Sequence, residues 1–240
     1  MEKSKSFVNK LDMAVILNID TSTTVCSVAL SEGGKLIACK ESNEGLNHSV
    51  LLGCFVDELL KENQLNVSQL DAVAISMGPG SYTGLRIGVS LAKGLCFGAN
   101  LPLIAVPTLQ ALALSVANEL HEDALYCPMI DARRMEVYTA FYNRNNQTIV
   151  ETQAEIIHEA SFADLLSKQK IFFFGNGSTK VRNILISPNA YFLEGIETSA
   201  RHMSLLAEQL FSQQKFVDVA YFEPFYLKDF IATTPKQKII

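Results

Sequence analysis

Six of the 13 glycines in this 240-residue chain fall between Gly78 and Gly98, and that concentration constrains the fold more than any other feature. They begin in Gly78-Pro79-Gly80-Ser81-Tyr82-Thr83-Gly84-Leu85-Arg86-Ile87-Gly88 and continue through a stretch with the length and apolar content of a helix over residues 83–98. Each glycine inside a helix costs roughly 0.5 to 1 kcal/mol relative to alanine, so several in one helix must be offset by close packing. On that helix Gly84, Gly88 and Ala92 make one i, i+4 row, and Ser90, Gly94 and Gly98 make another. Rows with so little side chain let a second helix come near. The rival use is phosphate capture, because a glycine-rich turn that opens a helix presents backbone N–H groups to an anion. The spacing Gly78-x-Gly80-x-x-x-Gly84 is neither Gly-x-Gly-x-x-Gly nor a Walker A sequence, which favours packing or partner contact.

Around this segment the apolar pattern sets an order of elements. Residues 14–20 form a continuous apolar run, 23–30 are rich in β-branched side chains, and 35–40 follow the turn Glu32-Gly33-Gly34, which predicts three meandering strands. Over residues 48–62, Leu51, Leu52, Phe55, Val56, Leu59 and Leu60 make one wide helical face. Residues 71–77 and 103–106 read as buried strands on either side of the glycine helix, and Thr108 is placed to cap a helix running to residue 120. Three meandering strands followed by α-β-α-β imply a mixed sheet with an antiparallel edge and a parallel interior, flanked by helices. The second half repeats the style less clearly. Strands are expected over 125–130, 136–143, 148–157 and 171–174, a short helix over 162–168, a helix capped by Thr198 or Ser199 and running to residue 211, and an extended aromatic tail over 223–227. The fold class is therefore α/β in two lobes. Residues 1–12 are expected to be a loosely held N-terminal extension, 13–107 a first lobe, and 108–240 a smaller second lobe whose last helix and tail pack back on the first.

Charge and composition narrow the chemistry. Twenty Lys plus Arg against 25 Asp plus Glu leave a net charge of -5, so the chain as a whole exerts no general attraction on nucleic acid. The sequence lacks an apolar run of about 18 residues, and a polar start replaces the apolar core of a signal peptide; a cytoplasmic protein without a membrane partner is expected. The cysteines at 26, 39, 54, 96 and 127 have no Cys-x-x-Cys spacing and read as buried reduced thiols. His48, His121, His158 and His202 have neither an i, i+4 partner nor a cysteine at ligand spacing, so no metal site is expected. Asp20-Thr21-Ser22-Thr23 joins two strands and could hold phosphate or a Mg²⁺ shell, although a polar hairpin turn looks the same. Arg133-Arg134 reads as a solvated turn, with contact to an acidic partner as its alternative.

Ile19-Asp20-Thr21-Ser22-Thr23, the Asn47-His48-Ser49 opening of the first helix and the Gly78–Gly88 segment together resemble the TsaB (YeaZ) family. The matching order runs from about Met13 to Pro107. The tail Pro224-Phe225-Tyr226-Leu227-Lys228 is similar to the family's closing Pro-x-Tyr-Leu-Arg, with Lys228 in place of Arg. The resemblance implies an actin-like or sugar-kinase-like (ribonuclease H-like) fold of two lobes. It also implies a non-catalytic scaffold in the bacterial complex that attaches threonylcarbamoyl to N6 of adenosine 37 in ANN-decoding tRNAs. The related TsaD subunit carries a metal on His-Met-Glu-Gly-His. Laid on this chain, that pattern puts Thr108 and Leu112 at the two histidine positions, where neither can replace imidazole. No catalytic residue and no intrinsic cofactor are then expected, with ATP or ADP at the complex interface.

The resemblance further implies that the first two helices dock a TsaD-type subunit. Leu51, Leu52, Phe55, Leu59, Gly84, Leu85, Gly88 and Ala92 are the residues expected to bury against its helices, and the same surface is expected to form a homodimer when the chain is alone. A TsaE-type ATPase is reached through the complex, and tRNA is held mainly via the partners. Nucleotide-binding candidates are Asp20, Thr21, Ser22 and Thr23. Two alternatives stand beside the scaffold. One is an actin-fold ATPase or small-molecule kinase, with Gly175-Asn176-Gly177-Ser178 as a second phosphate loop. The other is a glycoprotease-like peptidase, against which the missing metal ligands and nucleophile signature argue.

Overall fold

The computed structural model describes residues 13–44 and 47–228; the extension expected over residues 1–12 lies outside them. The meander is β1 (Val15–Asp20), β2 (Cys26–Glu32) and β3 (Lys35–Ser42), followed by α1 (His48–Glu62), β4 (Ala72–Gly78), α2 (Tyr82–Ala99), β5 (Leu103–Pro107) and α3 (Thr108–Leu120). The strands order as β3-β2-β1-β4-β5, antiparallel through the meander and parallel from β1 to β5, a mixed sheet as the pattern predicts. Because β1, β2 and β4 are buried along both faces, both faces must be covered. Leu17, Ile19, Val28, Leu30, Val73 and Ile75 pack beneath Leu52, Val56, Leu59 and Leu60 of α1 and Val89, Ala92 and Cys96 of α2.

The second half contains β6 (Leu125–Asp131), β7 (Glu136–Tyr142), β8 (Thr148–Ile156), the single-turn α4 (Ala163–Leu166), β9 (Ile171–Phe174), β10 (Ala190–Phe192) and α5 (Ser204–Ser212). Its sheet runs β10-β9-β6-β7-β8, with an antiparallel meander and parallel β6, β9 and β10. This is the plan of the first sheet repeated, strand for strand. The helix after each parallel set crosses to the other sheet. Leu109, Leu112, Ala113, Val116 and Ala117 of α3 pack on Tyr126, Ile130, Ala140, Tyr142 and Phe174. Leu206 and Ala207 of α5, with Met203 before it, cover Ile16, Ala29, Ala72, Ala74, Ile104 and Val106. Each half thus completes the core of the other. The tail then returns to the first sheet, where Val217 bridges to Leu103 and Lys93 Nζ donates to the carbonyls of Ala220 (2.9 Å) and Phe222 (3.1 Å).

The two sheets differ in their outer cover. Helices of 15 and 18 residues lie over the first, while the corresponding place on the second has the four-residue α4 and a 3-10 turn. Phenylalanine rings fill that space: Phe141 meets Phe162 edge-on at 4.9 Å and Phe173 stacks on Phe192 at 5.2 Å. Three local expectations are corrected, and one strand is added. Thr108 is the first residue of α3 and Pro107 is its N-cap, because the Thr108 hydroxyl is spent on Gly78 N–H and Ser76. The added strand is β10, which has only three residues and pairs with β9. A 3-10 turn over Ala200–Met203, capped by Ser199, comes before α5 begins. Of the cysteines, 26, 96 and 127 are buried, but Cys39 is half-buried and Cys54 exposed, since position 54 lies on the outer side of α1.

The glycine helix is seated differently from its expected use. Its first turn lies on the loop after β1: Ser81 N–H donates to the Ser22 carbonyl (2.7 Å) and Thr21 Oγ1 to the Gly84 carbonyl (2.8 Å). A Cβ at Gly80 would strike the carbonyl of Ser22, one at Gly84 that of Thr21, and one at Gly88 the Thr21 hydroxyl. The Gly84 and Gly88 row is therefore filled from within the chain, which corrects the expectation that a partner helix occupies it. Cβ positions at Gly94 and Gly98 meet nothing within 4 Å. These contacts predict opposite signs for one substitution. Gly94→Ala gains about 0.5 to 1 kcal/mol from helix propensity, whereas Gly84→Ala loses about 1 to 3 kcal/mol by overpacking. Urea unfolding of the two variants checks this, and equal shifts would contradict the seating.

Candidate functional site

The segments that carry the family resemblance meet at one end of the first sheet. Gly78 closes β4 with φ of 108°, a conformation that favours glycine. There the backbone of the tail passes close by, with Phe225 N–H donating to the Met77 carbonyl at 2.8 Å. One residue further on, Tyr226 lies against Tyr82 with ring centroids 4.9 Å apart, and Arg86 Nε donates to the Tyr226 hydroxyl at 3.1 Å. The Arg86 guanidinium sits 4.4 Å from the centre of the Tyr82 ring, a cation–π geometry. Nothing in the sequence pattern joins residues 78–86 to 225–226; only the spacing of two separate motifs hinted that each had a use.

Beneath this contact, Asp20, Thr21, Ser22 and Thr23 are all buried. Asp20 Oδ1 accepts from Ser22 N–H at 2.8 Å, and Thr23 Oγ1 bonds Thr198 Oγ1 at 2.6 Å. Burial pushes the Asp20 carboxyl above its ordinary value, while hydrogen bonds from Ser22 and Ser76 and the nearby His48 act in the opposite direction. His48 is itself buried at the start of α1, and its Nε2 has no hydrogen-bond partner among the described residues. A phosphate-holding loop needs free donors turned to an open space. Here the Thr21 hydroxyl is spent on the Gly84 carbonyl, and the Ser22 hydroxyl, without a hydrogen-bond partner among the described residues, is buried. A cleft of about 690 Å³ lies elsewhere, lined by Glu41, Asn43, Ser115, Glu119, Glu197 and His202 among others, and none of Asp20 to Thr23 reaches it.

The two positions that the resemblance lays on histidines of the TsaD subunit, Thr108 and Leu112, are occupied by structure. The Thr108 hydroxyl lies 2.5 Å from Ser76 Oγ and accepts from Gly78 N–H at 3.0 Å; Leu112 is buried against the second sheet. Of the expected docking residues, Leu52, Leu59, Gly84, Leu85, Gly88 and Ala92 point into the chain's own core, while Leu51 and Phe55 are half-buried. What α1 and α2 turn outward is a different set: Val50, Gly53 and Cys54 on α1, and Ser90, Gly94, Phe97 and Gly98 on α2, with Phe97 86% exposed. The second glycine row, 90, 94 and 98, was visible in the sequence. Which of the two rows faced out was not.

Comparison with known proteins places these motifs. The family model described as "TsaD: tRNA N6-adenosine threonylcarbamoyltransferase" matches residues 43–236. A tRNA threonylcarbamoyladenosine biosynthesis protein TsaB of Escherichia coli is 34% identical over 226 residues, covering 90% of this chain and 96% of that one. The protein of the same description from Haemophilus influenzae is 42% identical over 123 residues, about half (51%) of either chain. Among solved structures, YeaZ from Pseudomonas aeruginosa is similar with a TM-score of 0.77 at 28% identity, covering 90% of this chain and 100% of that one.

The raised Asp20 pKa has a thermodynamic sign. The folded chain holds that proton more tightly than the unfolded one, so stability falls as pH rises from about 3.8 through the folded-state value. Asp20→Asn keeps an acceptor for Ser22 N–H and removes the ionisation. Its melting temperature relative to wild type is expected to climb between about pH 4 and pH 8, and a difference independent of pH would contradict the assignment.

Proposed function

We infer that this chain, which belongs to the TsaB family of tRNA threonylcarbamoyladenosine biosynthesis proteins, is the non-catalytic subunit of the bacterial complex that forms N6-threonylcarbamoyladenosine at position 37 of ANN-decoding tRNAs. It binds and supports the catalytic TsaD-type subunit. The observation that carries the non-catalytic part is Thr108: at a ligand position of the related subunit stands a hydroxyl already bonded to Ser76 and Gly78. A hydroxyl so engaged, followed one helical turn later by a buried leucine, offers a transition metal no donor. The kinase alternative is disfavoured by the closed Asp20–Thr23 loop. The peptidase alternative lacks support in that, among the described residues, no group of His, Cys, Asp and Glu side chains could hold a metal ion.

We place the docking face on the outward side of α1 and α2, around Val50, Gly53, Cys54, Gly94 and Gly98, with Leu51 and Phe55 at its edge. Open glycine positions there let a partner helix approach closely, and exposed Val50 and Phe97 supply apolar area. The same face serves a homodimer when the partner is absent. The TsaE-type ATPase is reached through the complex, tRNA is held mainly by the partners, and any ATP or ADP used by the assembly sits at the subunit interface. No helix among the described residues is long and apolar enough to cross a membrane, and the cytoplasm is the proposed site of action.

Gly94→Trp tests the docking face directly, because a Cβ at that exposed position meets nothing within 4 Å. Co-purification with the TsaD-type subunit is expected to be lost while the melting temperature stays near that of wild type. Cys54, free and exposed in the lone chain, is expected to become at least tenfold slower to alkylate in the complex, given the burial of a docked helix face. Full retention of the partner by Gly94→Trp, with unchanged Cys54 reactivity, would remove α1 and α2 as the docking face.

A further inference from the structure

Tyr82, Arg86 and Lys93 are spaced so as to share one flank of α2. The tail runs along that flank in the opposite direction to the helix. Just past the end of α2, Val217 N–H donates to the Leu103 carbonyl at 2.9 Å. In the second half of the helix, Lys93 Nζ donates to the carbonyls of Ala220 (2.9 Å) and Phe222 (3.1 Å). At its start, Arg86 Nε donates to the Tyr226 hydroxyl at 3.1 Å and the Tyr226 ring lies against Tyr82. Two residues later Lys228 pairs with Glu136 of β7, so the same segment ends on the second lobe.

Asp218 shapes the middle of this run. Its Oδ1 accepts from the N–H groups of Ala220 (2.8 Å) and Tyr221 (3.1 Å), and its carbonyl accepts from Phe222 N–H (2.8 Å). With those N–H groups turned in to Asp218, the Ala220 and Phe222 carbonyls meet the Lys93 ammonium, and bonds from a charged donor are stronger than neutral ones. Covering the core would take only Val217, Val219 and Phe222, which pack on it; a turn that brings two carbonyls to one lysine goes beyond that.

The composition of α2 makes such support necessary. Gly84, Gly88, Gly94 and Gly98 each weaken a helix. The first two recover this by their close seat on Thr21, whereas Cβ positions at Gly94 and Gly98 meet nothing within 4 Å. The half of α2 that carries the open glycines is therefore the half that its own sequence holds least, and it is the half that Lys93 ties to the tail.

We propose that residues 217–226 are a strap that keeps the second half of α2 in place, and that Lys93 and Tyr226 are thereby positioning residues for the partner-docking face. A helix that frays must be ordered when a partner binds, and that ordering subtracts from affinity. The proposal rests on the reading of α1 and α2 as the docking face.

The test pairs two measurements on Lys93→Met, which keeps the apolar stem and loses the ammonium, and on Lys93→Arg, which can still donate to both carbonyls. One is hydrogen–deuterium exchange of the lone chain over α2, β1 and β4; the other is the affinity of the chain for the TsaD-type subunit. In Lys93→Met, exchange over residues 90–99 is expected to become about tenfold faster with β1 and β4 unchanged, and affinity to fall about tenfold; Lys93→Arg restores both. Should Lys93→Met fail to fold, Tyr226→Ala carries the same test from the tail side, since it alters no residue of α2. Unchanged exchange over α2 overturns the proposal, because any loss of affinity then reports a direct contact between Lys93 and the partner. Exchange accelerated equally in β1 and β4 overturns it as well, and so does faster exchange confined to α2 with affinity unchanged. If the wild-type chain shows no affinity for the partner, the docking reading fails and exchange alone decides: acceleration confined to α2 upholds the strap, and any other pattern overturns it.

Discussion

The start of α2 lies directly on the backbone of Thr21 and Ser22, and the rest of the molecule is arranged around that contact. Two hydrogen bonds, Ser81 N–H to the Ser22 carbonyl and Thr21 Oγ1 to the Gly84 carbonyl, hold it, and the missing side chains at Gly80, Gly84 and Gly88 permit it. In water each such bond contributes only about 1 kcal/mol, but breaking one here leaves a buried polar group unpaired. The contact sets the height of α2 across the ends of β1 and β4. It thereby decides which helical row faces inward, seals the Asp20–Thr23 loop, and presents Tyr82 and Arg86 to the returning tail.

The repeated strand plan gives this contact its functional meaning. Both sheets end their β4-like strand in a glycine of positive φ, Gly78 and Gly175, and in both a glycine after it crowds the end of the β1-like strand: Gly80 on Ser22, Gly177 on Ile130 and Asp131. Each of these turns packs directly on backbone of its own sheet. Since α3 covers the second sheet and α5 the first, the halves are bound into one core. The difference between them is the outer cover: long helices on the first sheet, phenylalanine rings on the second. The first lobe alone presents two long helices with small outward residues, which is what a docking subunit requires of its surface.

Much of this was legible in the sequence because it rests on periodicity. Continuous apolar runs marked β1, β4 and β9, the wide apolar face marked α1, and the mixture of antiparallel and parallel strands in the first sheet followed from the element order. What was not legible depends on partners distant in the chain. β10 is three residues whose strand form exists only beside β9. Thr108 looks like a cap until Ser76 and Gly78 claim its hydroxyl. The two glycine rows of α2 are equivalent by spacing, and only the position of Thr21 separates the row that is filled from the row that is free. The same holds for Tyr226, whose ring contact lies more than a hundred residues away at Tyr82.

The central claim is that this chain supplies a surface and no chemistry. The most direct measurement is threonylcarbamoyl transfer to adenosine 37 of an ANN-decoding tRNA, reconstituted from purified subunits with and without this chain, alongside a metal determination on the chain by itself. The account predicts that transfer requires the chain in stoichiometric amount and that the isolated chain carries no bound transition metal. Transfer at full rate without it, or one equivalent of metal bound to the lone chain, would contradict the account.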